Sequence, residues 1–394
     1  MAKHYVIIGS SAAGMGAINK LRDLDPTSRI TCITKQTNLP YNRCLVADVL
    51  AGKKSAPDIT LKGSASLAER GIDMRLGLTA TEIDANNQRV LLSDGSNMAY
   101  DTLLLAAGRS PCIPTLPGSG LAGVLSFFGL SDVEAILAYT KANPVRQVIV
   151  VGAGLSGLEC ADALRHYDVT VTVVERADHV LPHQLNYDGS KYLINHANTH
   201  GIIMRMGRTI AAIEGDSGVK NVVLDDGDRL PADLVIFAIG GRTNSQLAHS
   251  ASLRMLGNAV DVDAHQRTSD PHIFAAGDIA TITDQVTGQR IQSCLWPDAV
   301  MQGMVAANNM LGTEKKYAGA TIVTSSTIFN TTFVTAGPIA TPPLGLRLLV
   351  KNTEQFYHAF LLDSANSLHG FALVGNIDNV GLLRKKLLDK SPLF

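Results

Sequence analysis

The 394-residue chain has no Cys-x-x-Cys pair. Its five cysteines, Cys32, Cys44, Cys112, Cys160 and Cys294, are odd in number and widely scattered. That excludes a disulfide framework and a cysteine-based structural zinc site, and points to a reducing, cytoplasmic setting. Net charge is almost missing: at -1 there is no global basic field, so nucleic acid is not expected as a partner. No apolar run is long enough to cross a bilayer, so no membrane span is expected. Met1-Ala-Lys-His4 leads straight into a short apolar strand, without the apolar region or cleavage site of a signal peptide. The eleven histidines show no metal spacing. His179, His183, His196 and His200 are near one another but lack an accompanying acid pattern, so no metal is expected. No low-complexity segment interrupts the chain, which is long enough for two or three domains.

What is present is a nucleotide site between Gln147 and Arg176. The apolar run Gln147 to Val151 enters Gly152-Ala-Gly154-Leu155-Ser-Gly157-Leu-Glu159, a helical segment leaves it, and the β-branched run Val169 to Val174 ends on Glu175. Strand, glycine turn, helix and a strand ending in an acid about twenty residues on make the order of a dinucleotide-binding βαβ unit. Gly152 permits the tight turn, Gly154 lets the backbone approach a pyrophosphate, and Gly157 lets the helix pack closely on the strand. The helix start then offers free N–H groups and its positive dipole end to the phosphates. Glu175 stands where a carboxylate accepts hydrogen bonds from an adenosine ribose and repels a 2′-phosphate. The sequence therefore favours NADH over NADPH, a preference that the neighbouring Arg176 moderates.

A second turn stands near the start. Tyr5 to Ile8 reads as a buried strand, and Gly9-Ser10-Ser11-Ala12-Ala13-Gly14 as the turn into a helix ending near Arg22. Ser11 takes the middle glycine position, where a small residue still allows phosphate approach. The next strand, Ile30 to Thr34, runs into Lys35 and Gln36, so the expected acid is missing. Either Thr34 or Gln36 replaces it with a neutral hydrogen bond, or the adenosine is held differently. Further on, Arg89 to Gly108 turns like a hairpin and closes on a strand ending Ala106-Ala107-Gly108. Pro111, Pro114 and Pro117 punctuate a linker, Leu234 to Gly240 is a matching strand, and Thr268 to Asp278 resumes the passage from strand to helix. From Thr321 onward, paired strands at Ala359 to Asp363 and Leu368 to Val374 precede a helix with Leu382, Leu383, Leu387 and Leu388 on one face.

These motifs resemble the two-dinucleotide-binding-domain flavoproteins, the FAD and NAD(P)H pyridine nucleotide-disulfide oxidoreductase superfamily. Gly9 to Gly14 and Gly277-Asp278 are similar to its two FAD fingerprints, and Gly152 to Glu159 to its NAD fingerprint. Ala106-Ala107-Gly108 and Ala238-Ile-Gly240 are similar to its two connecting strands. Within the superfamily the chain resembles the rubredoxin reductase and nitrite reductase flavin-module group, through Leu39-Pro-Tyr-Asn-Arg43, Trp296-Pro-Asp-Ala299 to Gly303, and Phe371 to Ile377. The tail carries Asn376 where an Asp is usual in the group. The resemblance implies an α/β fold of two Rossmann-like domains, an FAD domain split by an inserted NAD domain, plus a small C-terminal α+β domain. The expected boundaries are 1–112 and 241–314 for the FAD domain, 113–240 for the NAD(H) domain and 315–394 for the last.

The same resemblance implies FAD and NADH as cofactors. FAD would be held by Gly9, Ser11, Ala12, Ala13, Gly14, Thr34, Lys35, Arg43, Ala107, Gly108, Gly277, Asp278 and Trp296. NADH would be held by Gly152, Gly154, Leu155, Gly157, Glu175, Arg176 and Gly240, with Glu159 orienting the nicotinamide amide. Asp278 is expected at the start of a helix, and Asp48, where oxygenase-coupled reductases carry a lysine, either faces Glu159 or points to solvent. The expected activity passes electrons from NADH through flavin to a small redox protein such as rubredoxin or ferredoxin, or to a small-molecule acceptor. A homodimer stays open. Cys44 stands where a redox cysteine opens a helix in coenzyme A-disulfide reductases and NADH oxidases and peroxidases, and is either such a thiol or a small filler. A third alternative is a non-catalytic redox sensor or an electron-transfer subunit of a larger complex, because the ribose acid is missing at Thr34. Arg384-Lys-Lys386 is either a dock for an acidic carrier or a solvated face.

Overall fold

The computed structural model describes residues 3–61 and 63–394, with the side chains of residues 64 and 65 left aside; Met1, Ala2 and Lys62 lie outside the description. Two units are built from interleaved segments. The first takes the chain through Leu45, then Ser55–Ser110 and Arg242–Ala320; the second takes Val46–Lys54, Pro111–Gly241 and Thr321–Phe394.

In the first unit, five parallel strands lie in the order Ile273–Ala275, Thr102–Leu105, His4–Ile8, Arg29–Thr34 and Ile72–Leu76. Val6, Ile7, Ile33 and Leu103 are fully buried, as the centre of a parallel sheet covered on both faces requires. The Ala12–Leu24 and Trp296–Met310 helices cross on one face, and the crossing is close because glycine stands at the contact. A Cβ on Gly303 would come within 2.0 Å of the Ala13 carbonyl oxygen, and one on Gly16 within 2.7 Å of that of Val300.

The second unit repeats the plan with Ile203–Met206, Thr170–Glu175, Gln147–Val151, Leu234–Phe237 and Val124–Ser126, again all parallel. It also holds a five-stranded antiparallel sheet in the order Val323–Ile328, Thr331–Ala336, Leu368–Val374, Tyr357–Leu362, Arg347–Asn352. The strands expected at Ala359 to Asp363 and Leu368 to Val374 are indeed paired neighbours there.

Two expectations are corrected. The final helix, Val380–Asp389, buries Leu383 and Leu387 but leaves Leu382 and Leu388 about half exposed, because residues four apart share a narrower stripe than all four leucines need. No helix follows Asp278: a turn at Gly277–Ile279 leads to the short strand Ile282–Thr283. Among the described residues, no helix is long and apolar enough to cross a membrane.

Candidate cofactor sites

Each parallel sheet ends in a glycine turn, and the two turns have the same construction. Gly9 and Gly152 have φ of +110° and +105°, which L-residues with a side chain rarely adopt. Gly9 donates to the Ile33 carbonyl and Gly152 to that of Val174, each at 2.8 Å. Gly14 and Gly157 are fixed by the return of the helix over the turn, since a Cβ on either would lie 1.9 Å from the carbonyl oxygen of Gly9 or Gly152. Ala106 donates to Ile8 at 2.9 Å and Ala238 to Val151 at 2.8 Å, so the strands ending Gly108 and Gly240 abut their turns in the same way.

Gly154 is different in kind. A Cβ there would meet no protein atom within 4 Å, so protein packing does not demand the glycine. The Ala12–Leu24 and Leu155–Leu164 helices also begin without a side-chain cap or a first-turn acid. Their leading N–H groups thus have no side chain to bind, the condition that suits a phosphate. In the first turn, the Ser10 hydroxyl is buried and without a hydrogen-bond partner.

The two turns diverge at the strand that follows each. Glu175 Oε2 accepts from the Ala153 N–H at 2.7 Å, and Oε1 accepts from Ala177 at 2.8 Å. Arg176 beside it is exposed. At the matching place Thr34 is buried, and its hydroxyl accepts only a 3.3 Å bond from the Gln36 N–H. Lys35 reaches instead to Ser110 Oγ at 2.8 Å, which bonds Asn244 Oδ1 at 2.8 Å.

Across the first unit a second group of expected residues is collected. Asp278 is half-buried, and the loss of solvent raises its carboxyl above the ordinary range while Arg43 and Arg109 pull it back down. Gly277 is anchored by its N–H to the buried Gln302 Oε1 at 2.8 Å, which ties the turn to the Trp296–Met310 helix. Trp296 opens that helix and packs on the core. Cys44 is exposed, in no disulfide, and lies in the short 3-10 turn Arg43–Leu45. Its N–H donates to Asn42 Oδ1 at 3.1 Å. Arg109, absent from the expected residues, donates to Cys294 Sγ at 3.5 Å and acts on Asp278. The signal was available, because Arg109 directly follows the Gly108 that ends its strand.

In the second unit Glu159 is the carboxyl most altered by its surroundings. It lies on the Leu155–Leu164 helix just after the glycine turn and accepts from Ser326 Oγ at 2.8 Å. Burial pushes its carboxyl up to about 7, with Asp48 adding to the rise and Ser326 opposing it. Of the two placements open to Asp48, the structure has it half-buried on the Val46–Leu50 helix and acting on Glu159. The Val46–Leu50 helix packs on the Leu155–Leu164 helix. His196 bonds the Tyr192 carbonyl and His200 that of His196. In the basic run, Lys386 donates to the Pro392 and Leu393 carbonyls, leaving Arg384 and Lys385 as exposed charges.

Two glycine-turn βαβ units, each ending in helix N–H groups left for an anion, define a protein that handles two nucleotides. The chain belongs to the pyridine nucleotide-disulphide oxidoreductase family, which it matches over residues 3–303. It is an FAD-dependent NAD(P)H oxidoreductase. It is 35% identical over 318 residues to an NADH oxidase of Methanocaldococcus jannaschii, covering 79% of this chain and 71% of that one. To the ferredoxin–NAD(+) reductase component of the biphenyl dioxygenase system of Paraburkholderia xenovorans it is 32% identical over 313 residues, covering 79% and 75%. A solved ferredoxin reductase from Rhodopseudomonas palustris superposes with a TM-score of 0.88 at 27% identity, over 99% of this chain and 95% of that one.

Proposed function

We propose that the Gly9 turn holds FAD, that the Gly152 turn holds NADH, and that electrons leave the flavin for a small redox protein of the ferredoxin or rubredoxin kind. The observation that carries the nucleotide assignment is the Glu175 carboxylate, tied by Ala153 and Ala177 at the edge of the second turn. A carboxylate held there accepts the ribose hydroxyls and repels a 2′-phosphate. When bound, the flavin supplies the hydride-accepting chemistry, and the protein supplies binding, orientation and electrostatics.

In the first unit, Gly9, Ser11, Ala12, Ala13 and Gly14 take the pyrophosphate, and Thr34 and Lys35 lie toward the adenosine. Arg43, Ala107, Gly108, Gly277, Asp278 and Trp296 line the rest, with Asp278 receiving hydroxyls of the ribityl chain. In the second unit, Gly152, Gly154, Leu155 and Gly157 take the NADH pyrophosphate, Glu175 and Arg176 the adenosine ribose, and Gly240 the strand end beside it. Glu159 orients the nicotinamide amide. The redox-protein acceptor is supported by likeness to two ferredoxin reductases. A reducing, cytoplasmic location fits five cysteines with no disulfide among them.

A second reading rests on the exposure of Cys44 and the likeness to an NADH oxidase: a thiol-dependent enzyme reducing oxygen, peroxide or a low-molecular-weight disulfide. Cys44→Ser separates the two. Carrier reduction by NADH should survive the substitution within about twofold, whereas oxygen or disulfide turnover should collapse by roughly two orders of magnitude. Loss of both activities together would contradict the carrier reading.

A further inference from the structure

We propose that Glu159, Asp48 and Ser326 form a proton-holding group in the NADH site, so that NADH binds together with a proton and NAD+ binds with release of one. Ser326 is the positioning residue that aims Glu159. The proposal rests on the reading of Glu159 as the residue beside the nicotinamide.

The geometry joins three elements of the second unit. Glu159 comes from the Leu155–Leu164 helix, Asp48 from the Val46–Leu50 helix packed on it, and Ser326 from the edge strand Val323–Ile328. The Ser326 hydroxyl donates to Oε1 of Glu159 at 2.8 Å, which leaves Oε2 as the atom that gains or loses the proton. No basic group is among those acting on Glu159: Asp48 and Asp162 both oppose its ionisation. Asp162 is itself met by Arg165 at 2.5 Å. Of the other elements packed on the helix, Gln147–Val151 and Val323–Ile328 carry no ionisable side chain. Thr170–Glu175 carries only Glu175, whose oxygens are taken by Ala153 and Ala177.

A carboxyl in this setting has two useful states near neutral pH, since burial and a like charge bring its ionisation up to about 7. Protonated at Oε2, it donates to an amide carbonyl; ionised, it accepts from an amide NH2. A neutral dihydronicotinamide ring covering the carboxyl removes more water and favours the protonated state. A cationic nicotinamide ring favours the carboxylate. The two redox states of one nucleotide therefore select opposite protonation states of Glu159. A lysine in place of Asp48 would hold Glu159 ionised throughout and abolish the distinction.

The test is calorimetric, in two buffers of different ionisation enthalpy, on the flavin-loaded protein slightly above neutral pH. NADH is titrated into dithionite-reduced protein, where no hydride can pass, and NAD+ into oxidised protein. The expected result is uptake of roughly half a proton per NADH and release of a fraction of one per NAD+, both lost in Glu159→Gln. The pH midpoint of NADH affinity should rise in Ser326→Ala, return in Ser326→Thr, which restores the hydroxyl, and fall in Asp48→Asn. A purely structural role for Ser326 would not move that midpoint. Tight NADH binding with no proton exchange, or midpoints that move the same way in Ser326→Ala and Asp48→Asn, would overturn the proposal and leave the site assignment standing. Failure of NADH to bind at all would overturn both.

Discussion

Glu175 Oε2 accepts a 2.7 Å hydrogen bond from the Ala153 N–H, so the acid ending one strand braces the glycine turn that ends its neighbour. Glu175→Ala removes that brace together with the ribose acceptor. NADH affinity should fall by roughly ten- to a hundredfold, corresponding to the loss of about 1.4 to 3 kcal/mol. NADPH affinity should fall less, because the repelling charge goes too. Equilibrium titration with both nucleotides measures the ratio, and an unchanged NADH to NADPH preference would contradict the role given to Glu175.

The first turn lacks this brace, and Thr34→Glu should supply it. The new carboxylate would stand where the Ser10 and Gln36 N–H groups mirror those of Ala153 and Ala177. FAD affinity of the apoprotein should rise by about three- to tenfold, read from quenching of flavin fluorescence on reconstitution. Weaker binding would show that Thr34 and Lys35 hold the adenosine by a different arrangement.

Gly154 and Gly157 should respond differently to alanine. A Cβ on Gly157 would lie 1.9 Å from the Gly152 carbonyl oxygen, so Gly157→Ala should cost about 2 to 4 kcal/mol of stability and lower the thermal midpoint by several degrees. Gly154→Ala meets no protein atom and should melt as the wild type does, yet bind NADH at least about tenfold more weakly. Equal melting losses in the two variants would contradict the assignment of the Gly154 space to a ligand.

Glu159 also gives stability a pH dependence whose sign is opposite to that of most carboxylates. Its folded value, about 7, lies above the ordinary 4.5, so the stability it contributes is full below pH 4.5 and is lost as the pH rises to about 7. Glu159→Gln should therefore match the wild type near pH 4 and exceed it above about pH 8 by up to about 3 kcal/mol. Urea unfolding of both proteins across that range checks the crossover; a variant less stable than the wild type above neutrality would contradict it.

The nucleotide architecture was legible because glycine turns impose local rules: positions Gly9, Gly14, Gly152 and Gly157 are each dictated by backbone contact within their own βαβ unit. The missing acid at Thr34 was legible for the same reason. Ser326 was not, because its hydrogen bond to Glu159 spans 167 residues of sequence, which no local pattern encodes, and Asp48 was legible only as one of two placements, facing Glu159 or solvent. Asp278 misled for a physical reason too. A Gly-Asp after an apolar strand suits a helix start, but here Gly277 has a φ of +80° and its carbonyl accepts from the Ala280 N–H at 2.9 Å, which closes a turn. The leucine stripe of the last helix overstated burial because neighbours at adjacent positions cannot all face one sheet.

The central claim is that one polypeptide binds both nucleotides and passes a hydride between them. An anaerobic titration of the purified protein with NADH, followed by flavin absorbance, tests it most directly. The account predicts that the flavin band bleaches in proportion to NADH added until one equivalent per FAD is reached, with NADPH bleaching it far more slowly. A protein that carries no flavin and takes none up, or whose flavin keeps its oxidised spectrum in excess NADH, would contradict it.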